Sequence, residues 1–590
     1  MSATQFHGSR GHVLTSLRPY VLAAILIGAG MPVHAQSTRV AGLLKHMSTA
    51  EKAAQLIMPW VSGGYTSWDD PGFARIVTLV DSLKVGGIVI SIGSPMEVAA
   101  RINHLQRRAK VPLLVASDFE GGTAFRINGG TAFPTNMGVG AGGQESDAFE
   151  MGRIIAEEGR ALGVHLSFSP VADINNNPAN PIINTRSFGG DAALVARMVA
   201  AQVRGAQSNG MPSTVKHFPG HGDTGTDTHI AYAVIPATWR RLDTLELVPF
   251  RAAVQAGVSA VMTAHVTLPA IDTVPNRPAT MAPEILTGIL RDSLQFKGLV
   301  VSDALDMGAI VSTYGPGEAA VTALLAGNDI LLMPTDPVAA VRSLVQAVRE
   351  GRVTRTRLDR SVRRVLQFKE SAGLFRRKLV NMDSVGFVVG RQAALATARA
   401  ASARSIVLLK DSSGVMPSLR TGSRRIAMVS FVETGSGTLG STLATGLRAQ
   451  GHVVTVARLF PASGPASYDS ARAAIDGADI GLIAVAVRAR EGVGSVAMPA
   501  ELAQLVGATR IPAMLLSFGS PYIISQAPSV PGYLLAWTAT SQAEEAVAAA
   551  LGGAAITGKL PVSIPPTFRI GDGMVTGGRT DGQTDRDRNQ

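Results

Sequence analysis

The chain has 590 residues, 46% of them apolar and 16% charged, with no cysteine and a formal net charge of +11. Its length exceeds one ordinary core and predicts two domains, and its composition excludes a disordered or collagen-like chain. Without cysteine there is no disulfide, thiolate metal site or lipidated thiol, while the positive charge favours anionic surroundings: a membrane surface, an acidic glycan or, least supported because basic and aromatic residues are not interleaved, nucleic acid.

Residues 1–35 read as a secretory signal. Arg10 and Arg18 give a positive start without acids, residues 21–31 are apolar, and Val33, His34 and Ala35 offer a small-residue cleavage site before Gln36. The competing reading is a membrane anchor, but the apolar run falls short of the roughly 20 residues a span needs. The expectation is an exported protein, periplasmic or secreted, with no membrane span after processing.

Beyond the signal, apolar runs alternate with amphipathic stretches. The runs at 85–91, 112–118, 165–173, 212–217, 259–265, 299–303 and 329–333 are short and rich in Val, Ile and Leu. Parallel strands buried on both faces have that character. Helical stretches fall between them, as at 148–161 and 243–256. Asp118, Asp173, Lys216 with His217, His265 and Asp303 each stand at the carboxyl end of a different run. In a (β/α)8 barrel such ends ring one face, whereas an open sheet spreads them along an edge. Five ends favour the barrel.

The predicted organisation is an α/β chain in two parts. A (β/α)8 TIM-type barrel over 36–375 closes with a basic helix at 355–370. A linker follows at 376–391. A smaller three-layer α/β/α sandwich spans 392–568, with strands at 426–431, 452–459, 480–487, 513–518 and 533–538. Residues 569–590 are expected to be a disordered tail.

The segment 216–229 concentrates the chemistry. Its fourteen residues hold three His, two Asp and one Lys, and its three Gly and one Pro keep most of it out of regular helix or strand. Asp227 stands two residues before His229, close enough to hold one ring nitrogen and leave the other to move a proton. His217 and His221 with Asp223 also suit a metal, although Pro219 and Gly220 prevent the two His from sharing a helical face. The glycines suit a phosphate cradle, but no phosphate-binding pattern accompanies them. Asp303 directly follows an apolar run, which is a place for a helix cap or a nucleophilic carboxylate. Asp306, at the start of the next turn, is the better candidate for the cap.

Taken together, these motifs resemble glycoside hydrolase family 3 in its β-N-acetylhexosaminidase branch. Residues 216–229 are similar to that branch's signature loop, Asp118-Phe-Glu-Gly-Gly122 to its acidic glycine motif, and Ser169-Pro-Val-Ala-Asp173 with Asn177 to Pro181 and Arg186 to Gly189 to the next block. Val301 to Met307 resembles the nucleophile strand, and Ser405 to Lys410 with Gly558 to Val562 resembles the second domain. The likeness runs from about Leu43 to Ile564.

The resemblance implies a retaining exo-β-N-acetylglucosaminidase that works through a covalent glycosyl-Asp intermediate and needs no cofactor or metal. Its partner would be a small carbohydrate: the terminal N-acetylglucosamine of peptidoglycan fragments (muropeptides included) or of chitooligosaccharides. It makes Asp303 the nucleophile and His229, paired with Asp227, the acid/base. Asp118, Arg126, Arg186, Lys216 and His217 match sugar-binding positions, with Glu120 and Asp173 orienting others. One departure is Thr123, where the branch commonly carries Arg. The alternatives are a β-glucosidase drawing its acid from Glu491 or Glu501, a phosphorylase of the same family, a metal-dependent hydrolase using His217 and His221, and a glycan-binding protein on an inactive barrel.

Overall fold

The computed structural model describes residues 37–433 and 438–577. The predicted signal at 1–35 lies outside the described residues.

Eight parallel strands close into a barrel. The first is in two pieces, Ile57–Met58 and Trp60–Ser62, parted at Pro59. Gly87–Ser91, Leu114–Ser117, Leu166–Ser167, Thr214–Phe218, Ala260–Thr263, Leu299–Val301 and Leu331–Leu332 follow. Each strand pairs in parallel with the next in chain order, and bridges Ser167–Ser213 and Val301–Ile330 carry the ladder where strands are short. Pairing of Ile57 with Leu331 closes the ring. The strands are buried throughout except at Trp60 and Ser62, which explains their unbroken apolar runs.

Helices cover the outside. Glu145–Leu162 carries Glu145 and Asp147 in its first turn, where the helix dipole favours acids, and buries Met151, Ile155 and Leu162. It packs on Ala192–Ser208 through glycines. A β-carbon on Gly152 would meet the Gln202 carbonyl oxygen at 2.3 Å, and one on Gly205 the Phe149 carbonyl oxygen at 2.0 Å. Backbone approaches this close admit only glycine. Each apolar side chain buried along such a seam contributes roughly 1.5–3 kcal/mol.

The second domain is an open sheet between two helical layers. Its strands lie in the spatial order Val453–Leu459, Arg425–Val432, Ile480–Ala486, Ala513–Ser517, Gly532–Leu535 and Val407–Asp411. The first five are parallel and the last is antiparallel. Alternate residues of the sheet enter two separate cores, Val429 and Phe431 in one, Ile426 and Met428 in the other. That alternation makes the domain a three-layer sandwich.

Several elements differ from expectation. The stretch 243–256 is two helices, Trp239–Thr244 and Val248–Gln255, because Pro249 starts a new helix rather than continuing one. The linker holds a helix, Met382–Val388, capped by the Asn381 side chain and anchored by buried Val385. Residues 569–577 are not a loose tail. The Leu560 amide donates to the Asp572 carbonyl at 2.8 Å and the Met574 amide to Leu408 at 2.8 Å, so this stretch laces the sandwich edge.

Candidate active site

A cavity of about 390 Å³ opens at the carboxyl ends of the barrel strands. Asp118, Arg126, Arg186, Lys216, His217, His229 and Asp303 all line it. Asp227 does not; it stands behind His229.

One wall is an ion network. Lys216, 2% exposed, places its Nζ 2.7 Å from Asp118 Oδ1 and 2.8 Å from Glu120 Oε1. Arg186 grips Glu120 with both arms, Nη2 to Oε1 at 2.8 Å and Nε to Oε2 at 2.9 Å. Arg126 reaches Asp118 Oδ2 at 3.3 Å and Glu491 Oε1 at 3.6 Å. Burial opposes the charge on Glu120, but Arg186 and Lys216 overcome it and hold the carboxyl well below its usual range. Asp118 is lowered in the same way, burial yielding to Lys216 and Arg126. These five groups thus stay charged and fix one another, leaving their remaining hydrogen-bonding directions for a polar ligand.

The loop after the fifth strand divides by role. His217 Nδ1 donates to Asp173 Oδ2 at 2.6 Å, and the His221 amide donates to Asp173 Oδ1 at 2.8 Å. Asp173 thereby orients His217, whose Nε2 lies 3.3 Å from Arg186 Nη2. His221 sits between Thr228 and Thr224, and burial lowers it to about 4, so the ring is neutral. A β-carbon on Gly222 would meet the Ile174 carbonyl oxygen at 1.7 Å, which makes glycine a condition of the loop's path. Asp223 is taken by Arg241 at 2.5 Å. Among the described residues no three His, Cys, Asp or Glu side chains are grouped to hold a metal ion.

His229 is held from two sides of one carboxylate. Asp227 Oδ1 accepts from His229 Nδ1 at 2.8 Å and from the His229 amide at 2.9 Å. Asp227 Oδ2 accepts from the Gly492 amide of the second domain at 2.8 Å. Burial pushes the imidazole down, but the Asp227 hydrogen bond and the charges of Asp303 and Glu491 outweigh it and raise His229 above its ordinary value. With Nδ1 occupied, Nε2 is the nitrogen left to exchange a proton.

Asp303 follows the seventh strand and accepts from the Ala304 amide at 2.8 Å. Burial again opposes its charge; His217, His265 and the Ala304 amide prevail and hold it below the usual carboxylate range. His265 is pinned between Thr280 and the Ala304 carbonyl, both at 2.8 Å, and so stiffens the strand end that carries Asp303. The pocket therefore contains a carboxylate held toward its ionised form and an imidazole biased toward its protonated form, the pair that nucleophilic and acid–base chemistry at one carbon needs.

Three further residues line the pocket. Asp306 is not the helix cap, a position held by Met307; it lines the pocket, and burial raises its carboxyl. Trp60 lines the opposite side, fixed by its Nε1 donating to Ser91 Oγ at 2.6 Å. Glu491, the acid candidate of the β-glucosidase alternative, arrives from the second domain with Oε2 4.0 Å from His229 Nε2. Glu501, by contrast, lies in the first turn of the helix Ala500–Ala508 and does not line the pocket. Thr123 is fully buried and turned toward Glu158, away from the cavity.

Comparison with known proteins gives a consistent result. A family model described as "Glycosyl hydrolase family 3 N terminal domain" matches residues 48–368, and one described as "Glycosyl hydrolase family 3 C-terminal domain" matches residues 406–584. A Cellulomonas fimi protein named "Beta-N-acetylglucosaminidase/beta-glucosidase" is 32% identical over 543 residues, 88% of this chain and 94% of the relative. The solved structure of a family 3 β-N-acetylglucosaminidase from Paenibacillus sp. str. FPU-7 superposes with a TM-score of 0.80 at 34% identity, covering 89% of this chain and all of that one. A β-glucoside phosphorylase bound to 2FGlc also reaches 0.80, at 26% identity over 90% of this chain and 96% of the other.

Proposed function

The chain belongs to glycosyl hydrolase family 3 and is a glycoside hydrolase, and on that premise we propose that it is an exported, retaining exo-β-N-acetylglucosaminidase. The observation that carries this reading is the Asp227–His229 pair, set on the barrel's own loop and facing the same pocket as Asp303. An acid/base supplied by the barrel in this form fits release of a terminal amino sugar, and the names of the Cellulomonas and Paenibacillus relatives agree with it.

Asp303 attacks the anomeric carbon while His229 Nε2 gives its proton to the departing glycosidic oxygen. A glycosyl–Asp303 ester forms and the aglycone leaves as an alcohol. His229, now neutral, takes a proton from water as that oxygen attacks the same carbon and frees Asp303. Two displacements restore the original β configuration. Asp118, Lys216, Arg186 and His217 hold the sugar's hydroxyls, with Arg126 at the rim. Peptidoglycan fragments and chitooligosaccharides are the proposed substrates, met outside the cytoplasm.

A second reading, β-glucosidase, has one specific observation in its favour: Glu491 reaches the pocket from the second domain. Phosphorolysis is the mechanistic variant, since an imidazole does not repel phosphate as a carboxylate would. One experiment separates all three. The full chain is incubated with aryl β-N-acetylglucosaminide and aryl β-glucoside, each with and without phosphate, and the sugar product is identified. Free N-acetylglucosamine in both buffers supports the proposal. Preference for the glucoside, or a sugar 1-phosphate as the main product, overturns it.

A further inference from the structure

A second cavity, about 440 Å³, lies in the crevice between the two domains. Its sandwich wall is built from the carboxyl ends of parallel strands: Glu433 follows Arg425–Val432, Arg488 follows Ile480–Ala486, and Trp537 follows Gly532–Leu535. From Arg425–Val432 the chain steps outward to Val453–Leu459 and then crosses to Ile480–Ala486 on the other side. Loops from neighbouring strands diverge at such a switch point, and open α/β sheets bind their ligands there.

The lining defines a chemistry. Phe125 of the barrel, 38% exposed, supplies ring surface, while Phe133 and Trp537 line the cavity as buried rings. Asn136 is 1% exposed; its Nδ2 donates to the Arg186 carbonyl at 2.7 Å, yet its Oδ1 has no partner. Nearly all buried polar atoms are paired, so this orphaned acceptor beside the cavity is an exception. The Arg488 guanidinium makes no hydrogen bond or ion pair among the described residues. Trp537 stands at φ +69°, a backbone region that bulky residues rarely adopt and that clusters at binding sites.

A phosphate would meet Glu433 and Glu120 in this space, and a hydrocarbon would strip water from the exposed Arg488 guanidinium without replacing its hydrogen bonds. A sugar ring is apolar on its faces and hydroxylated at its rim, and it satisfies both requirements. We propose that the interdomain crevice is a second, non-catalytic binding site for a neutral saccharide, in touch with the catalytic pocket through Arg186, which lines both. The proposal needs no assignment of which glycoside the catalytic pocket cleaves.

The test is binding stoichiometry. Labelled N-acetylglucosamine and labelled glucose are equilibrated with the full chain carrying Asp303→Asn, which prevents turnover. Two sites per chain for either sugar are expected, and Ala539→Trp, which fills the crevice from its exposed rim, leaves one. Arg488→Gln with Glu433→Gln weakens the second site about tenfold without adding bulk, and so serves if the tryptophan disturbs folding. In the chain retaining Asp303, the crevice changes leave kcat/KM on an aryl glycoside within about twofold, which reports an intact fold. One site in the Asp303→Asn parent, or two undiminished sites in every crevice variant, overturns the proposal. A preference for glucosides would refute the activity assigned above and leave this stoichiometry to be read by itself.

Discussion

The Gly492 amide of the sandwich domain donates to Asp227 Oδ2 at 2.8 Å, on the carboxylate whose other oxygen holds the His229 ring. The proton-transfer arm of the barrel is thus braced by the neighbouring domain. Gly492→Pro removes that donor, and Gly492 stands at φ +75°, which proline cannot adopt. The expected loss is about tenfold in kcat on substrates with poor leaving groups, with little change for nitrophenolate, which departs without a proton. Equal loss on both would show that the brace does not act through His229.

Asp303→Ala removes the group in line to attack the sugar. We expect kcat/KM to fall by about four orders of magnitude while the protein remains folded. Azide added to this variant attacks from the vacated side and yields the α-glycosyl azide. Recovery of the β-azide instead would refute a double displacement through Asp303.

The pH profile follows from the two raised and lowered groups. The first step needs Asp303 ionised and His229 protonated. Asp303 lies below its ordinary 3.8 and His229 above its ordinary 6.5, so the acid limb of kcat/KM falls below the first value and the alkaline limb above the second. Asp227→Asn replaces the charged acceptor on His229 Nδ1 with a neutral amide and so weakens the support that raises the imidazole. The alkaline limb then moves to lower pH and the rate drops roughly 10²–10⁴-fold. An alkaline limb that stays in place in this variant would mean that another group supplies the proton.

Lys369 offers a stability test remote from the pocket. It is fully buried, its ammonium donates among the described residues to Gln55 Oε1 alone, at 2.7 Å, and burial lowers it from 10.5 to about 7. Between those values the unfolded chain binds a proton that the folded chain has released, so stability rises with pH through that window and the full penalty stands below about 7. Lys369→Met should stabilise by about 1–4 kcal/mol near pH 6, with the gain fading toward pH 10. Denaturant midpoints at several pH values measure it; a gain that does not change with pH would contradict the account.

Much of the barrel was legible because a strand buried on both faces has to be apolar from end to end. The polar residue that ends such a run then stands out, and Asp118, Lys216, His217 and Asp303 were found that way. The first strand escaped because Pro59 splits it into pieces of two and three residues, too short to carry a pattern. Glu491 was named only as the acid of the β-glucosidase alternative, and its place beside His229 was not legible. It reaches the pocket only because two separately folded domains meet, and no local spacing in the sequence records that meeting. Lys369 was readable in principle: it falls on the buried stripe of Arg355–Ser371 with Leu358, Val362 and Val365, but the run of basic residues around it looks like a solvated face.

The ion network of the pocket has an ecological corollary. Asp118, Glu120 and Glu491 offset Arg126, Arg186 and Lys216 before any sugar arrives. A neutral glycoside entering this wall neither gathers counter-ions nor sets them free, and the paired charges are sheltered from screening by dissolved salt. Whatever the ionic strength around it, dilute or briny, the pocket meets its sugar with the same grip, and the export proposed above would turn that indifference into constancy of rate.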